Sequence, residues 1–217
     1  MITLSVRVFE IIFDHDRFQS LLVADAENVQ TVYPITVESF TGQPRTIERK
    51  TYDFGWGKPM PEDWAPVPLK PKNLDRLVPD LWSVEKDILA VTNGRYPLLE
   101  RHFEMSGQVL NAQCDIFGQS VNLKLLNPLV VDNCLDHEAC NWREDDDGAY
   151  ENLDLSADRN IVFNPDRLDA FPIFRVPEAM SMLLCTERYG SPEEEFKAAV
   201  EQNGLTGLIF NLLWEEA

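Results

Sequence analysis

Apolar and polar residues alternate along the start of the chain, where Ile2, Leu4, Val6 and Val8 fall on one face, as in a half-buried strand. The period slips at Phe9, and Ile11, Ile12 and Phe13 follow as a second apolar run, so a strand interrupted by a bulge is expected. After a polar turn at Asp14, His15 and Asp16, residues 18–23 and 29–37 read as further strands, and Gly42, Gln43 and Pro44 turn the chain again. Residues 1–51 are therefore expected to form an antiparallel meander. Neither strand nor helix periodicity survives in 52–79, a Pro-, Gly- and Trp-rich stretch that reads as an ordered connecting segment. Its Trp56 and Trp64 either pin it to the body of the protein or form a binding surface.

Residues 80–217 carry two units with the same order of parts. In the first, Ile88 to Thr92 is strand-like, Asn93 and Gly94 turn, and Pro97 opens a helix whose Leu98, Leu99, His102 and Phe103 share a face. Gly107 stops that helix and a strand follows over 109–114. In the second, a strand from Met180 turns at Arg188, Tyr189 and Gly190. Ser191 then caps a helix with Pro192 at its first position, and Glu194 closes a capping box. Phe196, Ala199 and Val200 make the buried stripe, Gly204 supplies a left-handed stop, and an apolar run ends at Trp214. Thr92 corresponds to Thr186, Pro97 to Pro192 and Gly107 to Gly204, the pattern two copies of one strand–helix–strand module would give. Between the units, Phe117, Gly118 and Gln119 mark a hairpin and Asn127-Pro128 ends a strand. The class expected is a strand-rich α+β protein, divided at 1–51, 52–79 and 80–217 or continuous over 1–217.

Charge changes this picture more than bulk composition does. With 44% hydrophobic and 26% charged residues the chain is globular in type, and no apolar run approaches the roughly 18 residues of a membrane span. Lys and Arg number 19 against 37 Asp and Glu, a net charge of −18, which repels nucleic acid and attracts a basic protein. Ten of those carboxylates lie between positions 132 and 158, with Arg143 the one base among them. The start of the chain lacks the basic, apolar and small-residue order of a signal peptide, and four widely spaced cysteines suit a reducing compartment, so a cytoplasmic location is expected.

Candidate chemistry is sparse. Cys134, His137 and Cys140 have metal-ligand identities, but a tetrahedral site normally needs two paired knuckles, and Cys114 and Cys185 are isolated. No metal or other cofactor is therefore expected. Asp14, His15 and Asp16 read as a turn, no G-x-S-x-G or G-x-G-x-x-G occurs, and Gly55-Trp56-Gly57-Lys58 lacks the rest of a phosphate loop. Glu144, Asp145, Asp146 and Asp147 resemble half of a calcium loop without its ligand spacing. They form either a solvated loop or, flanked by Trp142 and Tyr150, a phosphate-mimicking surface that docks on a cationic cleft.

Three stretches resemble a known family. They are LVPDLWSVEKDILAVTNGRYPLLERHF, NLKLLNPLVVDNCLDHE and the closing FPIFRVPEAMSMLLCTERYGSPEEEFKAAVEQNGLTGLIF, together spanning about 74–210. In that order they are similar to immunity protein family eleven of bacterial polymorphic toxin systems, long catalogued as a domain of unknown function. The most specific parts are Val130-Val131-Asp132 with Leu135-Asp136, and Gly204 to Leu208 with Phe210. The resemblance implies a non-enzymatic antitoxin, encoded beside a secreted toxin, that binds and blocks it. It also implies structural roles for Asp132, Asp136, Gly204 and Gly207, and it carries over no catalytic residues. This chain departs from the family pattern at its Trp- and Pro-rich 52–68 and its acidic 144–147, which is where a partner-specific surface is expected. The alternatives are an adaptor or chaperone for a secreted effector, and a carboxylate- or metal-dependent enzyme drawing on Cys134 and His137.

Overall fold

A computed structural model describes residues 5–23, 33–38, 44–49, 59, 67–84, 88–116, 118–140, 161–168 and 171–216. Their strands and short helices follow the order β1 (Arg7–Phe13), β2 (Ser20–Val23), β3 (Tyr33–Glu38), β4 (Pro44–Arg49), β5 (Val67–Lys72), β6 (Leu81–Val84), β7 (Ile88–Thr92), α1 (Glu100–Ser106), β8 (Gly107–Ile116), β9 (Gln119–Pro128), α2 (His137–Cys140), β10 (Phe174–Val176), β11 (Ala179–Glu187), α3 (Phe196–Gln202) and β12 (Leu208–Glu215). The protein is thus strand-rich α+β, and none of its described helices is long and apolar enough to cross a membrane.

Six strands close a barrel in the order β2-β5-β8-β9-β7-β6, and four form a sheet in the order β10-β11-β1-β12. The barrel follows from alternation. Trp82, Val84, Ile88, Ala90, Leu110, Ala112, Leu123 and Leu125 point inward with Leu21 and Leu69 and fill it. Their neighbours Leu81, Leu89, Val91 and Leu126 point outward into a second core shared with Phe9, Ile11, Leu183 and Cys185 of the open sheet. Both longer helices sit in that shared layer, α1 through Phe103 and its capping residue Leu99, and α3 through Phe196, Ala199 and Val200. A third core, with Val6, Val8, Phe174, Val176 and Leu184, covers the other face of the open sheet with Cys134, Leu135, Ile161, Phe163 and Leu168.

The expected meander is corrected here. Its strands exist, but they do not pair in sequence: β1 enters the open sheet, β2 enters the barrel, and among the described residues β3 pairs only with β4. Burial explains the separation, because Phe9 and Ile11 serve the shared core whereas Leu21 faces the barrel interior. The β1 slip is real, with the β1–β12 register shifting between Val8 and Phe9. The connecting stretch 52–79 contributes β5, which lies antiparallel to β2 and parallel to β8. Leu69 turns inward and Lys70 and Lys72 outward, a strand alternation that Pro68 and Pro71 disguise in the sequence.

The two units share one connectivity. Strands β7 and β8 both run antiparallel to β9 and flank it, so they are parallel to each other. Likewise β11 and β12 flank β1, each antiparallel to it. In each unit a short helix joins two parallel strands separated by an inserted antiparallel one. The middle strand follows the first unit, as β9, but comes from the start of the chain in the second, as β1.

Two capping details also differ from expectation. Gly204 does hold the left-handed conformation, φ +62°, but the helix before it begins at Phe196 rather than at Pro192. Residues 192–194 form a turn on the Ser191 carbonyl, which accepts the Glu194 and Glu195 N–H groups. The capping residue is Glu195, whose carboxylate reaches back instead of forward. Its Oε1 accepts the N–H groups of Arg188 and Tyr189 at 2.7 Å each, and Oε2 those of Gly190 at 2.6 Å and Ser191 at 3.2 Å. Gly107 ends α1 in an extended conformation, where a Cβ would run into the Asn127 carbonyl, so close approach to β9 is what demands glycine there.

Candidate partner interface

Sequence reasoning placed the interface on Trp142, Glu144, Asp145, Asp146, Asp147 and Tyr150, with Trp56 and Trp64 as the second choice. All eight lie outside the described residues. The residues flanking the acidic stretch are described on both sides, 134–140 and 161–168. Residues 141–160 hold seven Asp and Glu against two Arg.

These flanks are joined by polar groups that the apolar third core cannot hold unpaired. Asp136 opens α2 by accepting the Ala139 N–H on Oδ1 at 3.0 Å, and its carbonyl accepts the Cys140 N–H at 2.9 Å. Cys140, the last residue of that turn, has its Sγ against Val162: it accepts the Val162 N–H at 3.1 Å and donates to the Val162 carbonyl at 3.4 Å. The same carbonyl accepts the Asp136 N–H at 2.9 Å. One step further in, Leu135 bridges Phe163 antiparallel, and the Asn164 N–H donates to the Cys134 carbonyl at 2.8 Å. Residues 134–140 and 161–164 are therefore held together by one antiparallel bridge and these bonds, a stem packed by Leu135, Ile161 and Phe163 against the open sheet.

Beside this stem lies a shallow cleft of about 280 Å³, lined by Asn133, Asp136, His137, Glu138, Asn164 and Arg167 among others. His137 Nε2 meets Glu178 Oε1 at 2.5 Å, and the Glu178 side chain is almost wholly buried. Asp132 accepts a bond from the Cys134 thiol, and its N–H donates to the Arg175 carbonyl at 2.8 Å. Asp132 thus braces the third core, and Asp136 starts α2.

The metal-type trio is not gathered on one point. Cys134 turns to Asp132, Cys140 to Val162 and His137 to Glu178, and no group of three His, Cys, Asp or Glu suited to a metal occurs among the described residues. Burial pushes all four thiols upward, Cys114 to about 11, with Asp132 adding to the shift at Cys134 and Lys197 opposing it at Cys185. They are thiols, not thiolates, at neutral pH.

A second cleft, of about 520 Å³, opens where α1 meets the turn before α3, lined by Leu98, Arg101, His102, Pro192, Gln202 and Asn203 among others. His102 is buried there, with Nε2 on the Pro192 carbonyl at 2.9 Å, and burial lowers its pKa. A neutral imidazole that donates to a carbonyl ties α1 to the second unit. The sequence placed His102 correctly on the buried face of its helix but held no sign of this bond.

The chain matches no protein-family model and no curated protein. The family resemblance therefore rests on the three quoted stretches alone.

Proposed function

We propose that this is an acidic immunity protein: a non-enzymatic antitoxin that binds a basic toxin and occludes its active site in the cytoplasm. The carrying observation is the stem at Leu135–Phe163 and Cys140–Val162 on the third core, whose two sides bracket in sequence a 20-residue stretch of net charge −5. Carboxylates carried between two anchored flanks would steer the encounter with a cationic partner. The three family-like stretches support the same reading; they cover β7 and the start of α1, Leu135 on one side of the stem, and the second unit as far as Phe210. Trp142 and Tyr150 would be the anchors and Glu144 to Asp147 the steering charges.

Co-expression with the product of the adjacent gene tests this. The expected result is that the neighbour kills cells and this chain restores growth. If the neighbour kills and is not neutralised although it binds, inhibition is wrong and an adaptor for a secreted effector is the better account. With the purified pair, changing Asp145, Asp146 and Asp147 together to Asn should lower the association rate about three- to tenfold at low salt and flatten its salt dependence. Unchanged association kinetics would move the docking surface to Trp56 and Trp64.

A further inference from the structure

We infer that the outer edge of β12 is a docking strand, and that its occupant is an extended, cationic segment of a partner protein that adds to the open sheet. The partner's charge rests on the immunity reading; the edge itself does not.

Strand β12 is the last in the order β10-β11-β1-β12, and β1 is its one strand partner among the described residues. At the opposite margin β10 is covered, because Val131 bridges Arg175. The Asp14 N–H donates to the Gly207 carbonyl at 3.0 Å, so Gly207 faces β1. By the alternation of an antiparallel ladder, Leu208, Phe210 and Leu212 then turn their own N–H and C=O groups away from it. The register shift opposite Val8 and Phe9 places an extra residue, Leu213, on β12 and ends the regular edge there. A strand laid along 208–212 would find three consecutive outward residues, each with a donor and an acceptor.

Ordinary edges are guarded by lysine, proline or brevity, and this one has none of these. It is eight residues long, reads LIFNLLWE, and carries no cation. Apolar surface accompanies the open backbone: Ile209 and its register partner Ile12 are exposed, and Leu212 is 49% exposed. Leu208 and Phe210 are only partly buried at the rim of the shared core, which an added strand would complete.

Charge selects the occupant. Glu215 ends the strand and Glu216 follows it. Arg7, the register partner of Glu215, is held by Glu187 at 2.9 Å. Two copies of a chain of charge −18 repel along such an edge, whereas a strand alternating apolar residues with Lys or Arg meets both its apolar and its acidic features.

The probe is a ten-residue peptide alternating Val and Lys, with a control in which every second Val is Pro, added to the full chain. Amide hydrogen exchange at Leu208, Phe210 and Leu212 should slow at least tenfold with the first peptide and not with the second. Leu212→Pro removes an outward N–H and no β1 bond, and should weaken peptide binding at least tenfold. Leu212→Lys, which leaves the backbone intact, should do the same, and thermal melts check that both fold. The inference is overturned if those three amides do not respond, if they are already protected in the peptide-free monomer, or if the wild-type chain is a dimer that Leu212→Lys dissociates. If the adjacent toxin is neutralised equally by wild type and both variants, the edge is not the docking strand while the immunity reading stands. Peptide protection with a harmless neighbour leaves the edge standing and removes immunity.

Discussion

Replacing Glu195 by Gln should be among the most damaging single-atom changes available in this protein. The carboxylate is the acceptor for four consecutive backbone N–H groups, from Arg188 to Ser191, and the residue is only 6% exposed. Gln keeps one oxygen, which can still serve two of the four donors. Its NH2 then faces the other two, so two charge-assisted bonds become donor–donor contacts and two part-buried amides lose their acceptor. At about 1.5–3 kcal/mol for a hydrogen bond to a charged group, and allowing for incomplete additivity, the loss is on the order of 2–4 kcal/mol. For a chain of this length that lowers Tm by about 4–16 °C. Thermal denaturation measures the total, and amide exchange at 188–191 locates it. Glu195→Asp, one methylene shorter, should fall between Gln and wild type only if the loop can follow it. An unchanged Tm together with unchanged exchange at those four amides would refute the role assigned to this carboxylate.

Three further outcomes are expected. Gly207→Ala, at φ +110° with the Leu81 carbonyl and Pro79 crowding the new Cβ, should cost at least about 3 kcal/mol in urea denaturation, whereas Gly204→Ala, at φ +62° in open space, should cost only about 1–2 kcal/mol. Because burial lowers the His102 pKa, the unfolded chain takes up that proton first; stability should fall as pH drops below about 6.5, by up to about 1.4 kcal/mol per pH unit, and H102Q should remove that part of the acid slope in melts across pH 4–7. The four buried thiols have raised pKa values, so the unfolded chain ionises first and stability should fall as pH rises above about 8.5–9; a thiol reagent should find four reactive groups only after denaturation.

Local grammar made much of the fold legible. The β1 slip, the turn at Asp14 to Asp16, the hairpin at Gly118 with φ +77° and the left-handed Gly204 were each written in neighbouring residues. So were the buried face of α3 and, on α1, His102 and Phe103, although α1 starts at Glu100 rather than at Pro97 and Leu98 is exposed. Pairing was not legible, because which strand lies beside which depends on surfaces far apart in the chain. Nothing near Leu21 says that it faces Leu69 and Trp82 inside a barrel rather than Phe9 in a hairpin. Glu195 was hidden for a related reason: its partners precede it, while capping rules look forward to the helix. For the proposed interface, the charge run and its aromatics were visible, but the contact between Cys140 and Val162 on either side of them is encoded by no spacing rule.

The insertion of β1 between β11 and β12 also sets a timetable for synthesis. At roughly 5–20 residues per second, residues 7–13 leave the ribosome some 10–40 s before the strands that will flank them exist. Throughout that interval a strongly apolar strand is without its sheet, while the barrel can already assemble from the chain that follows. A product halted before residue 179 would therefore hold a finished barrel beside an orphaned strand, the kind of half-built species that chaperones retain and proteases remove.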